Sequence, residues 1–244
     1  MKSIIYLFLL SSSFFSYAQT PLTPWVSSKE LSRKEMLNTD NQDVKYLPLF
    51  GSKKKAEEQI LNSTEFLIQC DKNFKDRVDA SKFFADRGWE YLNEGLLDTA
   101  TYRFNLCFLL NQDSFDAYWG LGSISYQKGK YEESTQLLCK GLELSPENTI
   151  LMVDVATVQL ACYKEKNNCD DIDDALRLLE KSLQIDGTNA NGWLKYSIAA
   201  YQLEHYEKAW EYLHKCRLLD ISFVDTSFVQ ELIAKKSDPM GIFK

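Results

Sequence analysis

The sequence predicts an all-α protein whose short helix pairs stack into an α-solenoid. Two features predict this class: units recur between residues 81 and 223, and small residues occupy matching positions in both helices of each unit. A pair of such short helices cannot bury its own apolar face. The units must therefore stack, and about three or more are needed for a stable core.

The repeat is defined by columns of residues that share one spacing. Small residues recur 34, 34 and 41 positions apart in the first helices, namely at Gly88, Gly122, Ala156 and Ser197. In the second helices the spacings are 34, 41 and 34, for Ala100, Ser134, Ala175 and Ala209. The columns predict four units, the third with an insertion, at 81–114, 115–148, 149–189 and 190–223.

The segments on either side of the repeats are predicted to differ from them. Residues 19–52 contain Pro21, Pro24 and Pro48 and show no sustained apolar period, which predicts an extended or partly disordered segment. Apolar and small residues at steps of three and four predict an N-terminal capping helix over 53–76. A C-terminal capping helix and tail are expected over 224–244.

The second unit has the clearest pattern. It contains Ala117-Tyr118-Trp119-Gly120-Leu121-Gly122, then Gly129-Lys130-Tyr131, and closes with Leu144-Ser145-Pro146. This pattern resembles the tetratricopeptide-repeat (TPR) family, whose unit is a helix-turn-helix of about 34 residues. The resemblance implies a right-handed superhelix with a concave face that is lined by the first helices.

By this resemblance, an apolar line on each first helix faces the concave groove. The members of a line are spaced i, i+4, i+7, so each line is continuous on its helix. Aromatic side chains in a groove suit the capture of a peptide or a helix. The predicted groove residues are Trp89, Leu92, Trp119, Ser123, Tyr126, Val153, Leu160, Leu194, Ile198 and Tyr201. Lys82 and Lys195 are isolated on these helices, so the family's clamp for a C-terminal carboxylate is not expected.

The same apolar lines have a second interpretation, in which the chain covers its own groove. Apolar patches larger than roughly a few hundred Å² are rarely left bare on a soluble protein. The segment 19–52 offers several side chains that could cover them, namely Leu22, Trp25, Leu47, Leu49 and Phe50. The sequence therefore leaves two alternatives: an open groove that binds a partner, or a self-filled groove in a structural or self-associating protein.

Composition argues against several other functions. The net charge is −7, with 35 acidic and 28 basic residues, which does not favour a nucleic-acid or an anionic membrane partner. The chain has two histidines and no C-x-x-C pair, so a zinc site is not predicted. The acidic run Asp170–Asp174 lacks the glycine and the terminal glutamate of a calcium loop. No catalytic residue, metal ligand or cofactor is predicted.

Cys162 and Cys169 are predicted to form a disulfide. Cys162 lies near the end of one predicted helix and Cys169 just before the next, and adjacent antiparallel helices bring such ends together. Free thiols are the alternative, because the sequence does not establish the Cα separation that a disulfide requires.

Residues 1–18 have the pattern of a secretory signal peptide. Lys2 supplies a positive start, Ile4 to Phe15 form an apolar run, and small residues at Ser16 and Ala18 precede a cleavage site before Gln19. We therefore expect an exported protein, periplasmic or secreted, without membrane insertion after cleavage. Together these features predict a non-enzymatic scaffold or adaptor of the cell envelope or extracellular space that binds a protein partner through the groove.

Overall fold

The computed structural model describes residues 43–52, 57–165 and 172–244. These residues form helices and their connections, without a strand among them. The ten α-helices are α1 (Glu57–Asn73), α2 (Arg77–Asn93), α3 (Leu97–Leu110), α4 (Phe115–Gln127), α5 (Tyr131–Leu144), α6 (Thr149–Glu165), α7 (Ile172–Ile185), α8 (Ala190–Gln202), α9 (Tyr206–Leu219) and α10 (Thr226–Lys235). The predicted signal peptide, 1–18, and residues 19–42 lie outside the described part of the chain.

Helices α2 to α9 pack as four consecutive pairs, and each pair lies within one repeat unit. Each second helix also contacts the first helix of the next unit. The first helices α2, α4, α6 and α8 contact one another in succession, so they form one continuous layer. At the two ends, α1 packs against α2 and α10 packs against α9. The predicted all-α solenoid is confirmed.

The two helices of a unit approach closely because small residues face each other between them. In the second unit, Ser134 Oγ donates a hydrogen bond to the Gly122 carbonyl oxygen over 2.8 Å. In the fourth unit the roles are exchanged, and Ser197 Oγ donates to the Ala209 carbonyl oxygen over 2.6 Å. A side chain as short as serine reaches the facing backbone only where the two helices are nearly in contact.

The ring of Phe104 fills the space between Gly88 and Gly120. Phe104 on α3 is completely buried. A Cβ atom would lie 2.7 Å from this ring at Gly88 and 2.2 Å from it at Gly120, so neither position has room for a side chain. Since Gly88 belongs to the first unit and Gly120 to the second, Phe104 packs at the junction of the two units.

Polar side chains cap several of the first helices. Asp76 accepts a hydrogen bond from the Asp79 amide at 2.8 Å, Asn148 from the Leu151 amide at 3.0 Å, and Asn189 from the Gly192 amide at 2.9 Å. Each cap satisfies an amide that has no partner within its own helix. These local bonds fix where α2, α6 and α8 begin, and therefore which residues face the groove.

Candidate functional site

The predicted groove residues divide into a buried and a partly exposed set. The buried side chains belong to the apolar core, where Leu92 packs with Phe104, Val153 and Leu160 pack with Leu179, and Leu194 packs with Trp210. The partly exposed side chains are Trp89, Trp119, Ser123, Tyr126, Ile198 and Tyr201. The accessible part of the predicted groove therefore lies mainly on α2, α4 and α8.

Two tryptophans on neighbouring first helices form the centre of this surface. The rings of Trp89 on α2 and Trp119 on α4 meet edge to face, with 5.1 Å between their centroids. Trp89 makes a second edge-to-face contact at 5.1 Å with the buried Phe104, and Phe115 stacks on Trp119 at 6.3 Å. Edge-to-face contacts are favoured by the charge distribution of aromatic rings. The contacts hold both indoles in place while part of each remains accessible.

Trp119 also connects the second unit to the third through a carboxylate. Its Nε1 donates a hydrogen bond to Asp154 Oδ2 on α6 over 2.7 Å. Burial raises the pKa of Asp154, because it disfavours the charged form, whereas the bond from Trp119 and the charge of Lys195 both act to lower it. Asp154 is therefore a partly dehydrated carboxylate at the edge of the aromatic surface.

A second carboxylate occupies a comparable place one unit earlier. Burial raises the pKa of Asp116 on α4, and the charge of Asp86 acts in the same direction. The Trp89 side chain and the charge of Lys82 both act to lower the pKa of Asp116. In both cases a tryptophan of one unit interacts with a carboxylate of the next, and for Trp119 and Asp154 the interaction is a hydrogen bond.

Sequence reasoning missed these carboxylates. Asp116 lies in the first turn of a helix, where an acidic residue is favoured by the helix dipole and needs no other explanation. One signal was available: Asp86 and Asp154 are separated by two repeat lengths, so they occupy the same position of their units. Lys195 is not isolated as the sequence suggested, because its charge interacts with Asp154 and Asp225.

The fourth unit presents a different part of the surface. Tyr201 on α8 contacts Phe228 of the capping helix α10 edge to face at 5.6 Å and Tyr206 at 5.7 Å. Both Tyr201 and Ile198 pack against the core cluster around Trp210. At this end the capping helix therefore covers part of the predicted groove.

The described part of the N-terminal segment packs on α3, the second helix of the first unit. The buried Asn105 on α3 donates hydrogen bonds from Nδ2 to the carbonyl oxygens of Lys45 and Leu47, both over 2.8 Å. Leu49 packs against the adjoining core cluster. The predicted groove-filling residues Leu22 and Trp25 lie outside the described part of the chain.

The cysteines show no reactive or metal-binding arrangement in the described residues. Cys70, Cys107, Cys139 and Cys216 are free, and burial raises the pKa of each thiol. Cys162 is disulfide-bonded. Its predicted partner, Cys169, lies outside the described residues, so the Cys162–Cys169 pairing stays a prediction. Within the ranges that the structure describes, no cluster of three metal-ligating side chains occurs.

Two comparisons with known proteins found similar chains, and no family model matches the sequence. One human protein, Protein O-mannosyl-transferase TMTC1, is 27% identical over 105 residues, which are 43% of this chain and 12% of that protein. The chain thus spans about an eighth of the length of this relative.

Solved structures give the wider match. The Pseudomonas aeruginosa PilF structure has a TM-score of 0.55 at 17% identity and covers 66% of this chain and 70% of its own. The structure of MamA from Desulfovibrio magneticus has a TM-score of 0.52 at 18% identity and covers 67% of this chain and 89% of its own. These similarities define a helical repeat protein of the solenoid class. The particular fold is that of the tetratricopeptide repeat, as the resemblance of the second unit implied.

Proposed function

We propose that this protein is a non-enzymatic scaffold that holds a protein partner against the exposed face of its first helices. The observation that supports this proposal best is the partly exposed pair Trp89 and Trp119, fixed by ring contacts and bordered by two carboxylates. Rigid aromatic side chains with polar neighbours are typical of the residues that contribute most to protein–protein binding.

The position of residues 43–52 favours an open groove over a self-filled one. Residues 43–52 bond to Asn105 and pack on α3, a second helix, whereas the groove belongs to the first helices. Of the side chains proposed to fill the groove, Leu47, Leu49 and Phe50 lie within this docked part. A structural or self-associating protein, with its groove covered by the chain itself, is therefore the less supported alternative.

We further propose that the protein acts after export, in the cell envelope or outside the cell. The support is the signal-peptide pattern of residues 1–18. None of the described helices is long and apolar enough to cross a membrane. N-terminal sequencing of protein recovered from its native compartment should give a chain that begins at Gln19, and a chain that still contains Met1 would contradict export.

The binding proposal can be tested with a matched pair of variants. Ser123 on α4 and Thr135 on α5 are both partly buried, and each hydrogen-bonds the carbonyl oxygen four residues earlier, over 2.9 Å and 3.0 Å. Ser123 lies on a predicted groove line, whereas Thr135 lies on a second helix. Ser123→Arg therefore places a long charged side chain in the groove, and Thr135→Arg makes a similar change elsewhere.

We expect Ser123→Arg to weaken partner capture about tenfold or more, because a side chain at the centre of an interface controls most of its affinity. Capture from an extract of the source organism, with retained proteins quantified by mass spectrometry, measures the loss. Thr135→Arg should retain the same proteins as the unmodified chain. Equal loss with both variants, or retention with both, would refute binding through this face.

A further inference from the structure

The surface formed by the first helices combines its two tryptophans with two carboxylates. Asp116 and Asp154 are both partly exposed. Trp119 Nε1 donates a hydrogen bond to Asp154 Oδ2 over 2.7 Å, and the Trp89 side chain acts on Asp116 by lowering the pKa of its carboxyl group. Since the two indole rings are themselves in contact, both carboxylates border one continuous aromatic surface.

The side chain that donates a hydrogen bond to Asp154 is neutral, and so is the indole that acts on Asp116. An indole N–H satisfies one acceptor site but brings no charge, and a carboxylate offers about four such sites. Hydrogen bonds from an ammonium or guanidinium group to a carboxylate are roughly twice as strong as neutral ones. Burial has already removed part of the water around Asp116 and Asp154. A cationic group that arrives from outside would therefore find acceptors that are poorly hydrated and only partly bonded.

The charges around the surface leave an excess of acidic groups. Asp116 interacts with Asp86 and with Lys82, and Lys195 is shared between Asp154 and Asp225. The acidic groups in this set are Asp86, Asp116, Asp154 and Asp225, and the basic groups are Lys82 and Lys195. An unpaired negative charge next to exposed indole rings is complementary to a cation with an apolar stem.

We infer that the partner presents a lysine or arginine side chain to this surface, an inference that rests on the proposed function. The cationic head binds at Asp116 and Asp154, and the aliphatic stem or guanidinium plane lies against Trp89 and Trp119. Tryptophan faces attract cations by their charge distribution, and both basic side chains carry enough aliphatic length to cover an apolar surface. Arginine fits best, because its planar group bonds a carboxylate in two places and stacks on rings.

The inference is tested by selecting a library of random dodecapeptides, displayed on phage, against the full chain. Selected peptides should be enriched in lysine and arginine relative to the unselected library. For peptides synthesised from the selection, Asp116→Asn with Asp154→Asn should weaken binding about tenfold or more, which is the loss expected for a hydrogen bond to a charged group. The same variant should bind with less dependence on salt concentration.

Matched controls separate this effect from a general loss of negative charge. Glu143→Gln with Glu211→Gln removes two charges from exposed side chains of second helices and should leave peptide affinity unchanged. Asparagine keeps an oxygen that accepts the indole bond, and burial disfavours the charged form of both aspartates, so the Asn variants should melt at or above the normal temperature. Should the double variant unfold, Asp116→Asn alone is measured, with the same expectation.

The outcomes distinguish this inference from the function on which it rests. Peptides that bind without basic enrichment, or whose affinity survives both Asn substitutions, overturn the cationic partner. If Ser123→Arg still abolishes their binding and Thr135→Arg does not, the groove function stands. If no peptide is retained at all, both the inference and the proposed groove are overturned.

Discussion

The first two units and the fourth unit build the same helix pair with different residues. In the first two units, Gly95 and Gly129 occupy the turn between the helices with φ angles of +76° and +72°. In the fourth unit Glu204 occupies this turn with a φ of 59°. Glycine adopts this left-handed conformation without strain, whereas a residue with a Cβ atom does not. The fold therefore tolerates a locally unfavourable residue where the packing on both sides determines the turn.

The two regions also differ in how they are covered. The second unit packs on the first, and Phe104 lies at the junction between them. Among the residues that the structure describes, α10 and the tail that follows it pack on the fourth unit, in the place that the next unit takes on the first. Trp210 Nε1 on α9 donates to the Lys236 carbonyl oxygen over 2.9 Å, and His214 Nε2 lies 2.8 Å from Asp238 Oδ1. A terminal repeat needs such a cover, because its outer apolar face would otherwise meet water.

The largest expected loss of stability is at the junction of the first two units. Phe104→Ala leaves a cavity that Gly88 and Gly120 cannot fill, and we expect it to lower the free energy of unfolding by about 3–5 kcal/mol. Urea denaturation followed by circular dichroism measures the loss. Leu213→Ala, at the matching position of the fourth unit, is the comparison, and α10 and the tail should let that site relax more. If Phe104→Ala lowered the free energy of unfolding less than Leu213→Ala does, Phe104 would not be the main packing residue at the junction.

A smaller loss of stability is expected from a substitution where the tail attaches to the fourth unit. The Asp238 side chain is buried and accepts hydrogen bonds from the amides of Met240, Ile242 and Phe243. Burial alone would raise its pKa, but these amides and His214 outweigh burial and lower the pKa to about 2. Asp238→Asn should cost on the order of 2 kcal/mol at neutral pH, because it removes a charged acceptor.

The same carboxylate gives this end of the molecule a pH dependence of known sign. Because the pKa of Asp238 is lower in the folded chain than in the unfolded chain, its contribution is complete above about pH 4 and is lost as the pH falls towards 2. The stability difference between the unmodified chain and Asp238→Asn should therefore shrink over this range. A difference that is constant from pH 6 to pH 2.5 would mean that the carboxylate does not hold the tail.

The smallest expected effect concerns the turns themselves. Glu204→Gly should raise the free energy of unfolding by about 1 kcal/mol, because glycine adopts the left-handed conformation without a Cβ penalty. Gly129→Ala should lower it by a similar amount for the same reason. Thermal melting of the two variants beside the unmodified chain measures both changes. Opposite signs are expected, and stabilisation by both substitutions would show that the turn conformation is not the cause.

The sequence by itself determined the repeat and the fold class. Small residues at Gly122 and Ser134 and the turn at Gly129 predict a helix pair because these features act within one unit, where the spacing along the chain fixes the spacing in space. The helical spacing together with the family resemblance also predicted Trp89 and Trp119 as groove residues. Both remain partly exposed in the structure and contact each other.

Only the tertiary structure decided which side chains the stacking of units covers. Leu92, Val153 and Leu160 share their helical positions with partly exposed residues of other units, yet they are buried. Burial depends on the neighbouring helix as well as on the position along the apolar line. The bond from Trp119 to Asp154 joins residues 35 positions apart. Such contacts between units depend on the angle at which one helix pair packs on the next, and no spacing within a single unit specifies that angle.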